Sequence, residues 1–416
     1  MTVRAGQLAA LAEAISATWP LHSPADVALR DFFRRRRDLG QHDRAFIAEG
    51  VFAVLRRRRS LVLDAATTAP RALAIAASLR ELGVSLRELE SALSADEQAW
   101  ARDFKSRKPE LTPAEAADLP DWLWDELGTA LPAERDALAR AWLAPAPLDL
   151  RINPLKTTRD AALAALAADG IQASPMQYSP VGMRVTGKPA LQRHALLSSG
   201  EIEVQDESSQ LVCFLVAPKR AEMIVDFCAG AGGKTLLLGA SMRSQGRLYA
   251  FDVSPRRLAN LKPRLARSGL SNVHPARIAD ERDNHIKRLA GKIDRVLVDV
   301  PCTGFGTLRR NPDLKWRRAA SAVAELAAKQ TRLLAGAAPL VKPGGRLVYA
   351  TCSVLPAENE AIVDGFLSTH PDFALGDAAA ELARAGIALD TGRTLRLYPH
   401  RHGCDGFFAA VLERAR

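Results

Sequence analysis

The sequence has few residues of the kinds that build membrane spans, metal sites or disulfide frameworks. No apolar run reaches the roughly 18–20 residues that cross a bilayer. The N-terminus lacks a basic head, an apolar stretch and a small-residue cleavage site in that order, so we expect a cytoplasmic protein without membrane association. The five cysteines are widely spaced, form no Cys-x-x-Cys, and have no cluster of histidines beside them. We therefore expect no structural zinc or other metal, and no disulfide framework.

Acidic residues are fewer than basic ones. The 416 residues include 57 Lys and Arg against 47 Asp and Glu, which gives a net charge of +10. Most of the excess is arginine, whose planar guanidinium makes bidentate contacts with phosphate. A GC-rich genome also inflates arginine and alanine, so the charge favours a nucleic-acid partner without specifying one. With 48% hydrophobic residues, the chain can bury the cores of two or three domains.

The N-terminal third has the apolar spacing of helices. Apolar positions recur every three or four residues in Leu8–Ile15 and Phe46–Leu55. Two arginine clusters, Arg34–Arg37 and Arg56–Arg59, lie nearby, and nine arginines accompany four acidic residues between positions 31 and 60. These clusters are either the solvated ends of surface helices or a patch that faces RNA. The sequence leaves both interpretations open.

A change of composition at Leu143–Pro154, which contains three prolines, predicts a linker that leads into a strand. Beyond it, the strand-like segments Leu148–Asn153 and Met183–Val185 flank the alanine-rich helix Thr158–Ala168. This pattern predicts a small α+β subdomain. We expect three parts: a helical domain at 1–140, the α+β subdomain at 145–215, and a third domain at 216–416.

The third domain alternates apolar strands with helices, which predicts an α/β fold with a parallel, doubly wound, Rossmann-like sheet. The candidate strands are Met223–Phe227, Arg247–Asp252, Val273–Ile278, Ile293–Val300 and Arg346–Thr351, with helices at Pro255–Ser268 and Ala319–Leu334. Ligands of such sheets bind beyond the carboxyl ends of the strands. The candidate site residues all lie at such ends.

The first of these strands runs into a glycine-rich loop, Asp226–Thr235. A phosphate-binding P-loop would need glycine at Cys228. The dinucleotide pattern fits Gly230 and Gly232, but its third glycine would fall on Thr235. Each pattern fails by one residue, so both are weak alternatives.

A loop for S-adenosylmethionine explains the same residues better, because this cofactor carries no phosphate. It has ribose hydroxyls, an adenine edge and a sulfonium cation, which carboxylates can recognise. Asp252 ends the second strand, Asp280 follows the third, and Asp299 closes the fourth. One such aspartate is often only a helix cap. Three of them beside a glycine loop predict a site for S-adenosylmethionine.

Two cysteines follow neighbouring strands of the predicted sheet. Cys302 comes after the fourth strand and Cys352 after the fifth, so both thiols should reach the same edge, next to Asp299. A single buried cysteine is usually a small hydrophobe. A pair matches cytosine-5 methylation, which needs a thiolate to attack carbon 6, an acid near the ring nitrogen, and a group that assists elimination. The spacing does not decide which cysteine attacks.

These motifs resemble those of the Sun/Fmu (RsmB/NOP) family of RNA 5-methylcytosine methyltransferases, and within it the ribosomal small-subunit branch. The resemblance covers about residues 145–416. The matching segments are Leu150–Asn153, Val204–Gln210, Asp226–Thr235, Asp299–Cys302, Asn311–Trp316, Ala350–Ser353 and Asp405–Phe408.

The resemblance implies that Cys352 is the nucleophile, that Cys302 aids product release, and that Asp299 lies near the base. The implied cofactor-binding residues are Cys228, Ala229, Gly230, Ala231, Gly232, Gly233, Lys234, Asp252, Asp280 and Asp299. One departure is visible, since the family loop usually has Ala-Pro where this chain has Gly230 and Ala231. We expect a more flexible loop that still binds the cofactor.

The segment His42–Arg56 resembles the NusB-like RNA-binding domain that some family members carry. It favours ribosomal RNA over transfer RNA as the substrate. Because the target cytosine must leave any stack, we expect an unassembled or partly assembled small subunit as the partner and a monomeric enzyme.

Three other functions compete with this one. A P-loop nucleotidase would use Leu297–Asp299 as its metal-binding strand end. A non-enzymatic RNA chaperone would not need both Cys302 and Cys352. A DNA cytosine methyltransferase attacks with the cysteine of its Pro-Cys motif and lacks the second one.

Overall fold

The computed structural model describes residues 2–416, which divide into two units. One unit comprises the chain up to Pro145 together with Thr307–Ala320. The other comprises Ala146–Gly306 and Ser321–Arg416. No pattern in the sequence indicated that Thr307–Ala320 joins the helical unit. No helix among the described residues is both long and apolar enough to span a bilayer.

The first unit is built from helices. Its N-terminal helices are α1 (Ala5–Thr18), α2 (Ala25–Arg35), α3 (Gln41–Arg56), α4 (Arg58–Ala65), α5 (Pro70–Arg80), α6 (Leu86–Leu89), α7 (Ala95–Ser106), α8 (Pro113–Ala116), α9 (Asp121–Ala130) and α10 (Arg135–Trp142). The two segments with apolar spacing lie inside α1 and α3, where Leu8, Leu11, Ile47 and Val51 are fully buried. The predicted helical N-terminal region is therefore confirmed.

Three of these helices begin at capping boxes that the sequence encodes. In each, a Ser or Thr side chain accepts from the backbone N–H three residues on, and a Glu there accepts from the backbone N–H of the capping residue. The pairs are Ser85 with Glu88, Ser94 with Glu97, and Thr112 with Glu115.

The end of α3 is covered by the segment Thr307–Ala320, in the same unit. The Arg56 guanidinium is 8% exposed and donates to the Arg309 carbonyl at 3.1 Å. The Lys315 ammonium donates to the Arg56 carbonyl at 2.9 Å, and the Trp316 indole donates to the Leu55 carbonyl at 2.6 Å. Burial lowers the pKa of Lys315 to about 7. An RNA-facing role for Arg56 is therefore wrong, because its side chain lies inside the protein.

The rest of the second arginine cluster is also used internally. Arg57 pairs with Glu81, and Arg59 with Glu115. Arg58 lies over the Trp19 ring, 3.9 Å from its centroid. By contrast, the cluster at 34–37 lies at the exposed end of α2 and beyond it. Only the first of the two clusters presents exposed arginines to solvent.

The second unit begins with the small α+β part. The strands β1 (Leu148–Ile152), β2 (Ala173–Pro175), β3 (Gly182–Val185) and β4 (Ile202–Val204) form an antiparallel sheet in the order β2-β3-β1-β4. Two helices accompany them, α11 (Arg159–Ala168) and α12 (Ala195–Ser198). Thr158 caps α11 by accepting from the Ala161 N–H.

The large sheet is built from β5 (Met223–Asp226), β6 (Arg247–Asp252), β7 (Val273–Arg277), β8 (Ile293–Asp299), β9 (Val341–Thr351), β10 (Phe373–Leu375), β11 (Thr394–Leu397) and β12 (Phe407–Arg414). Its order is β10-β12-β9-β8-β5-β6-β7, with β11 paired to β12. The other helices are α13 (Glu207–Val216), α14 (Gly233–Ser241), α15 (Pro255–Ser268), α16 (Asn284–Arg288), α17 (Leu314–Arg317, in the helical unit), α18 (Ser321–Ala337), α19 (Glu360–Thr369), α20 (Ala378–Arg384) and α21 (Pro399–His402).

Strands β5 to β9 pair in parallel and confirm the predicted Rossmann-like sheet. The prediction missed β10, β11 and β12, which are antiparallel. Since β6 and β8 flank β5 on opposite sides, the strand order reverses at β5, where open α/β sheets bind ligands. The glycine loop, the three aspartates and both cysteines lie beyond the carboxyl ends of these strands.

Candidate active site

The glycine loop joins β5 to α14 through two residues with left-handed backbone, and at one of them, Gly232, a side chain would also clash. Gly230 and Gly232 have φ of +58° and +84°, in the left-handed region. A Cβ on Gly232 would lie 2.1 Å from Leu261 Cδ1. At the strand end, Asp226 accepts from the Thr235 hydroxyl at 2.7 Å, and burial raises the pKa of Asp226 to about 7. The hydrogen bond between Asp226 and Thr235 thus joins the start of the loop to the first turn of α14.

The three predicted aspartates differ in exposure. Asp252 is buried and accepts from the Gly230 N–H at 2.9 Å and the Ser254 N–H at 2.7 Å, so it holds the loop directly. Asp299 is half-buried at the end of β8. Asp280 is exposed beyond β7 and accepts from the Arg282 N–H at 2.7 Å. Both Asp252 and Asp299 line the central part of the edge, while Asp280 lies after the last strand of the sheet.

Lys234 forms an ion pair with a carboxylate of the protein. Its Nζ donates to Asp299 Oδ2 at 2.7 Å and to the Ser209 hydroxyl at 3.2 Å, and it lies 4.8 Å from the centre of the Phe407 ring. Burial acts to lower the pKa of Lys234, but the charge of Asp299 and the hydrogen bond to it outweigh burial and leave the pKa raised. A P-loop lysine must reach a phosphate. The pairing with Asp299 therefore argues against the nucleotidase alternative.

The two predicted catalytic cysteines are in contact. Cys302 Sγ lies 3.2 Å from Cys352 Sγ. Cys302 is buried, whereas Cys352 is half-buried. The hydrogen bond with Cys352 and then burial raise the pKa of the Cys302 thiol well above its ordinary value. The raised pKa favours the protonated form of Cys302, and Cys352 is the more accessible of the two residues.

Close backbone packing brings the two cysteine turns together. The Gly306 N–H donates to the Cys352 carbonyl at 2.9 Å, and the Gly406 N–H donates to the Gly306 carbonyl at 2.8 Å. A Cβ on Gly306 would lie 1.9 Å from the Gly406 oxygen. Glycine is therefore required at this crossing, which connects the turn after β8 with those around β9 and β12.

The other three cysteines lack such surroundings. Burial raises the pKa of the Cys213 thiol to about 12, and burial also raises the pKa values of Cys228 and Cys404. All five cysteines are free, and Cys404 is fully buried in the core. Cys213 and Cys404 behave as small hydrophobes, whereas Cys228 is half-buried in the glycine loop. Among residues 2–416, no cluster of three or more His, Cys, Asp or Glu could hold a metal.

Sequence reasoning missed several side chains that support the glycine loop. Arg151 on β1 is 1% exposed, donates to the Gly233 carbonyl at 3.2 Å, and also donates to the Gln205 side chain. Arg264 on α15 donates to the Ala231 carbonyl at 2.7 Å. Arg151 and Gln205 lie in segments that match family motifs, which was the available signal. Arg264 gave none.

Arg264 is itself held by a buried carboxylate of the α+β part. Glu203 on β4 is 4% exposed and accepts two hydrogen bonds from Arg264, at 2.9 and 3.1 Å, through one oxygen. Its other oxygen accepts two from Arg267, at 2.8 and 3.1 Å. The α+β sheet and the glycine loop are therefore linked through one carboxylate.

Comparison with known proteins decides the family. The sequence model described as "16S rRNA methyltransferase RsmB/F" matches residues 213–413, and the ferredoxin-like domain of the same proteins matches residues 119–192. The probable ribosomal RNA small subunit methyltransferase B of Synechocystis is 39% identical over 72% of this chain and 68% of its own. The chain belongs to the RsmB/F family. It is an RNA methyltransferase, and S-adenosylmethionine is its cofactor, as predicted.

Two further relatives agree with this assignment. The probable small subunit methyltransferase B of Bacillus subtilis is 34% identical over 71% of this chain and 66% of its own length. The crystal structure of a methyltransferase homologue from Pyrococcus horikoshii is 29% identical, with a TM-score of 0.62, and covers 73% of this chain and 97% of that one. The RsmB/F chain thus spans about two thirds of the length of these curated relatives.

The donor set at the edge of the sheet fits S-adenosylmethionine. The loop between Cys228 and Lys234 offers open backbone held in place by Asp252, and its lysine is already neutralised by Asp299. Carboxylates suit the hydroxyls and the cation of this cofactor, whereas a phosphate would meet them unfavourably. In this RsmB/F chain, Asp252 ends β6 and Asp280 follows the adjacent strand β7.

Proposed function

We propose that this RsmB/F enzyme methylates carbon 5 of a cytosine in small-subunit (16S) ribosomal RNA through a covalent Cys352 adduct that Cys302 helps to resolve. The observation that carries this proposal is the 3.2 Å separation of the two sulfurs at the carboxyl end of neighbouring strands. Two thiols at that distance can act on the same base in turn.

The reaction needs a nucleophile because carbon 5 of cytosine is weakly nucleophilic. The Cys352 thiolate bonds to carbon 6, and the electrons of the 5,6 double bond make carbon 5 reactive. S-Adenosylmethionine, when bound, supplies the methyl group that carbon 5 takes. As the carbon 6–sulfur bond breaks, Cys302 gives its proton to the departing Cys352 sulfur. The electrons of the carbon 5–hydrogen bond re-form the double bond, and the carbon 5 proton passes to the Cys302 sulfur, so that both thiols are restored.

The surroundings of the two sulfurs support this division of roles. Cys352 is the more exposed sulfur and can reach a base that enters the site. Cys302 is buried, and the hydrogen bond with Cys352 and burial keep its pKa raised, so it is a proton-carrying group beside the adduct rather than a competing nucleophile. This order agrees with the one that the family resemblance implies.

Asp299 is the third residue of the proposed catalytic site, beside Cys302 and Cys352. It ends β8 three residues before Cys302, is half-buried, and is held by Lys234 at 2.7 Å. A carboxylate fixed in this way can face either the cofactor cation or the polar edge of the cytosine. We assign it both to cofactor binding and to orientation of the base, with Asp252, Asp280 and the loop Cys228–Lys234 as the other cofactor-binding residues.

Two observations support a ribosomal substrate. The curated relatives that match over about 70% of the chain are named as small subunit methyltransferases. The helical unit exposes the cluster at 34–37, which suits phosphates. Because the target base must leave its stack, we propose unassembled or partly assembled small-subunit RNA as the substrate, and a monomeric enzyme.

The mechanism is tested by trapping. Cys302→Ala should accumulate a covalent protein–RNA adduct on a denaturing gel in the presence of S-adenosylmethionine, whereas Cys352→Ala should give neither adduct nor product. Cys404→Ala, which removes a buried thiol elsewhere in the core, is the matched control and should behave as the wild type. An adduct with Cys352→Ala would show that the roles are reversed.

The substrate is tested separately. Purified enzyme is incubated with labelled cofactor and one of three substrates: protein-free 16S ribosomal RNA, intact small subunits, or transfer RNA. Bisulfite sequencing then locates any 5-methylcytosine. Methylation of the free ribosomal RNA alone is the expected result. Preferential methylation of transfer RNA would overturn the ribosomal assignment while leaving the cysteine mechanism intact.

A further inference from the structure

The two cysteine turns share one buried carboxylate. Thr303 follows Cys302, and Ser353 follows Cys352. Both hydroxyls donate to Glu358 Oε2, each at 2.5 Å. Glu358 lies just before α19 and is fully buried. One side chain thus contacts the residue next to each reactive thiol.

Glu358 uses all of its accepting capacity in these contacts. Its Oε1 accepts from the Thr303 N–H and from the Gln330 side chain, both at 2.9 Å. With the two hydroxyls on Oε2, four donors fill the four acceptor sites of an ionised carboxylate. The Gln330 amide also donates to the Pro301 carbonyl at 3.1 Å, which fixes the start of the Cys302 turn. The carboxylate therefore joins the turn after β8 to the turn after β9.

We propose that Glu358 is a positioning residue that sets the separation of Cys302 and Cys352. It touches neither sulfur through a hydrogen bond, and it acts through Thr303 and Ser353. The consequence for catalysis rests on the proposed function, but the effect on the spacing does not. The Thr303 and Ser353 hydroxyl oxygens also lie 3.3 Å from each other, and among the described residues Glu358 is the one carboxylate that accepts from both.

The charge of Glu358 supports the same role. The raised pKa of Cys302 arises from the hydrogen bond with Cys352, then from burial, then from the charges of Cys352, Glu358 and Asp299. The carboxylate thus favours the protonated form of Cys302 as well as its position. Both effects serve a thiol that assists release instead of attacking.

Two substitutions of Glu358 distinguish an effect on the distance between the two sulfurs from a general loss of folding. In Glu358→Gln the amide oxygen can still accept from the Thr303 N–H and from Gln330, and the amide NH₂ can donate to the Thr303 and Ser353 hydroxyls, which rotate to accept. Glu358→Ala loses all four contacts. Tyr349→Phe is the control for a change next to Glu358 that leaves its carboxylate in place: the Tyr349 hydroxyl donates to the Glu358 backbone carbonyl at 2.6 Å, lies 3.4 Å from Gln330 Oε1, and contacts neither Thr303 nor Ser353.

The spacing is measured without RNA. The oxidant diamide takes two electrons and two protons from a pair of thiols as they form a disulfide, and peptide mass spectrometry follows the Cys302–Cys352 bond over time. Wild type, Tyr349→Phe and Glu358→Gln should form it at similar rates. Glu358→Ala should form it at least about tenfold more slowly, because a displacement of about 1 Å is enough for such a loss.

The catalytic consequence is measured in a single turnover with bound S-adenosylmethionine. Glu358→Ala should bind the cofactor as tightly as the wild type but transfer methyl at least about tenfold more slowly, and Glu358→Gln should restore the rate. If the wild type formed no adduct or product, the proposed function would fail, while the diamide rates would still decide on Glu358.

The proposal is overturned if folded Glu358→Ala forms the disulfide at the wild-type rate, or if Glu358→Gln is as slow as Glu358→Ala. Should Glu358→Ala not fold, Thr303→Val and Ser353→Ala each remove one hydroxyl contact and leave the carboxylate in place. Each should then slow disulfide formation by a smaller factor, and wild-type rates in both would refute the assignment.

Discussion

Replacement of Glu203 by glutamine tests whether one carboxylate connects the α+β sheet to the glycine loop. Glu203 accepts four hydrogen bonds from two arginines, and its side chain is 6% exposed. Removal of one partner from a buried ion pair costs about 3–5 kcal/mol. The side chains of Arg264 and Arg267 are 20% and 30% exposed, so solvent screens part of the loss. We therefore expect the lower end, about 3 kcal/mol.

The expected loss converts directly into a urea midpoint. With a slope of about 3 kcal/mol per molar urea for a unit of this size, Glu203→Gln should lower the midpoint by about 1 M. Circular dichroism follows the whole chain. Tryptophan fluorescence reports only the helical unit, because all six tryptophans lie at positions 19, 100, 122, 124, 142 and 316. The fluorescence transition therefore serves as an internal control.

The same variant should weaken cofactor binding. Arg264 would lose the carboxylate that aims it at the Ala231 carbonyl, and loss of one hydrogen bond of about 1 kcal/mol corresponds to about a fivefold rise in Kd. Isothermal titration calorimetry measures it. Glu201→Gln, which affects only a partly exposed carboxylate bonded to the Ser199 hydroxyl, is the control. A midpoint shift below about 0.3 M in Glu203→Gln would refute the reasoning.

Three further predictions concern single residues. Gly232→Ala should abolish S-adenosylmethionine binding in calorimetry while the fold persists in circular dichroism, because its φ of +84° and the Leu261 contact require glycine. Burial raises the pKa of Asp226 to about 7, so its contribution to the free energy of unfolding is present below about pH 4 and is lost as pH rises to about 7. The loss amounts to up to about 4 kcal/mol. In Asp226→Asn, urea midpoints measured across that pH range should no longer show this loss of stability. Burial lowers the pKa of Lys315 to about 7, so the helical unit should become more stable between about pH 7 and pH 10. In Lys315→Met, unfolding followed by tryptophan fluorescence should show no such gain in stability. A gain that persists in this variant would contradict the assignment.

The sequence was sufficient where local pattern determines structure. Apolar runs and turn residues located β6 and α15 to the residue and placed β5, β7 and β8 within one residue of their ends. Parallel strands carry the residues that follow them to one edge, so the strand pattern alone places the aspartates and cysteines together. Strand placement brings the two sulfurs to the same edge, but their 3.2 Å contact also involves glycine packing at Gly306 and the hydrogen bonds of Glu358, which the strand pattern does not show.

The sequence did not predict contacts between side chains that lie in distant segments of the chain. In sequence, Arg56 resembles the exposed arginines of the cluster at 34–37, and its burial depends on contacts with Arg309, Lys315 and Trp316, which are distant in the chain. Glu203 and Glu358 likewise read as ordinary polar residues, since periodicity records which side of a strand or helix a residue occupies and not what lies opposite. Pairings over 50 residues or more are set by topology, which the pattern along the chain does not record.

The assignment of Thr307–Ala320 to the helical unit has a consequence for how this protein can be divided. The helical unit is discontinuous in the chain, which passes between the units after Pro145, after Gly306 and after Ala320. A fragment ending at Pro145 would lack Lys315 and Trp316 and leave the end of α3 uncovered. A fragment that reproduces the helical unit must therefore contain both of its segments, the chain up to Pro145 and Thr307–Ala320.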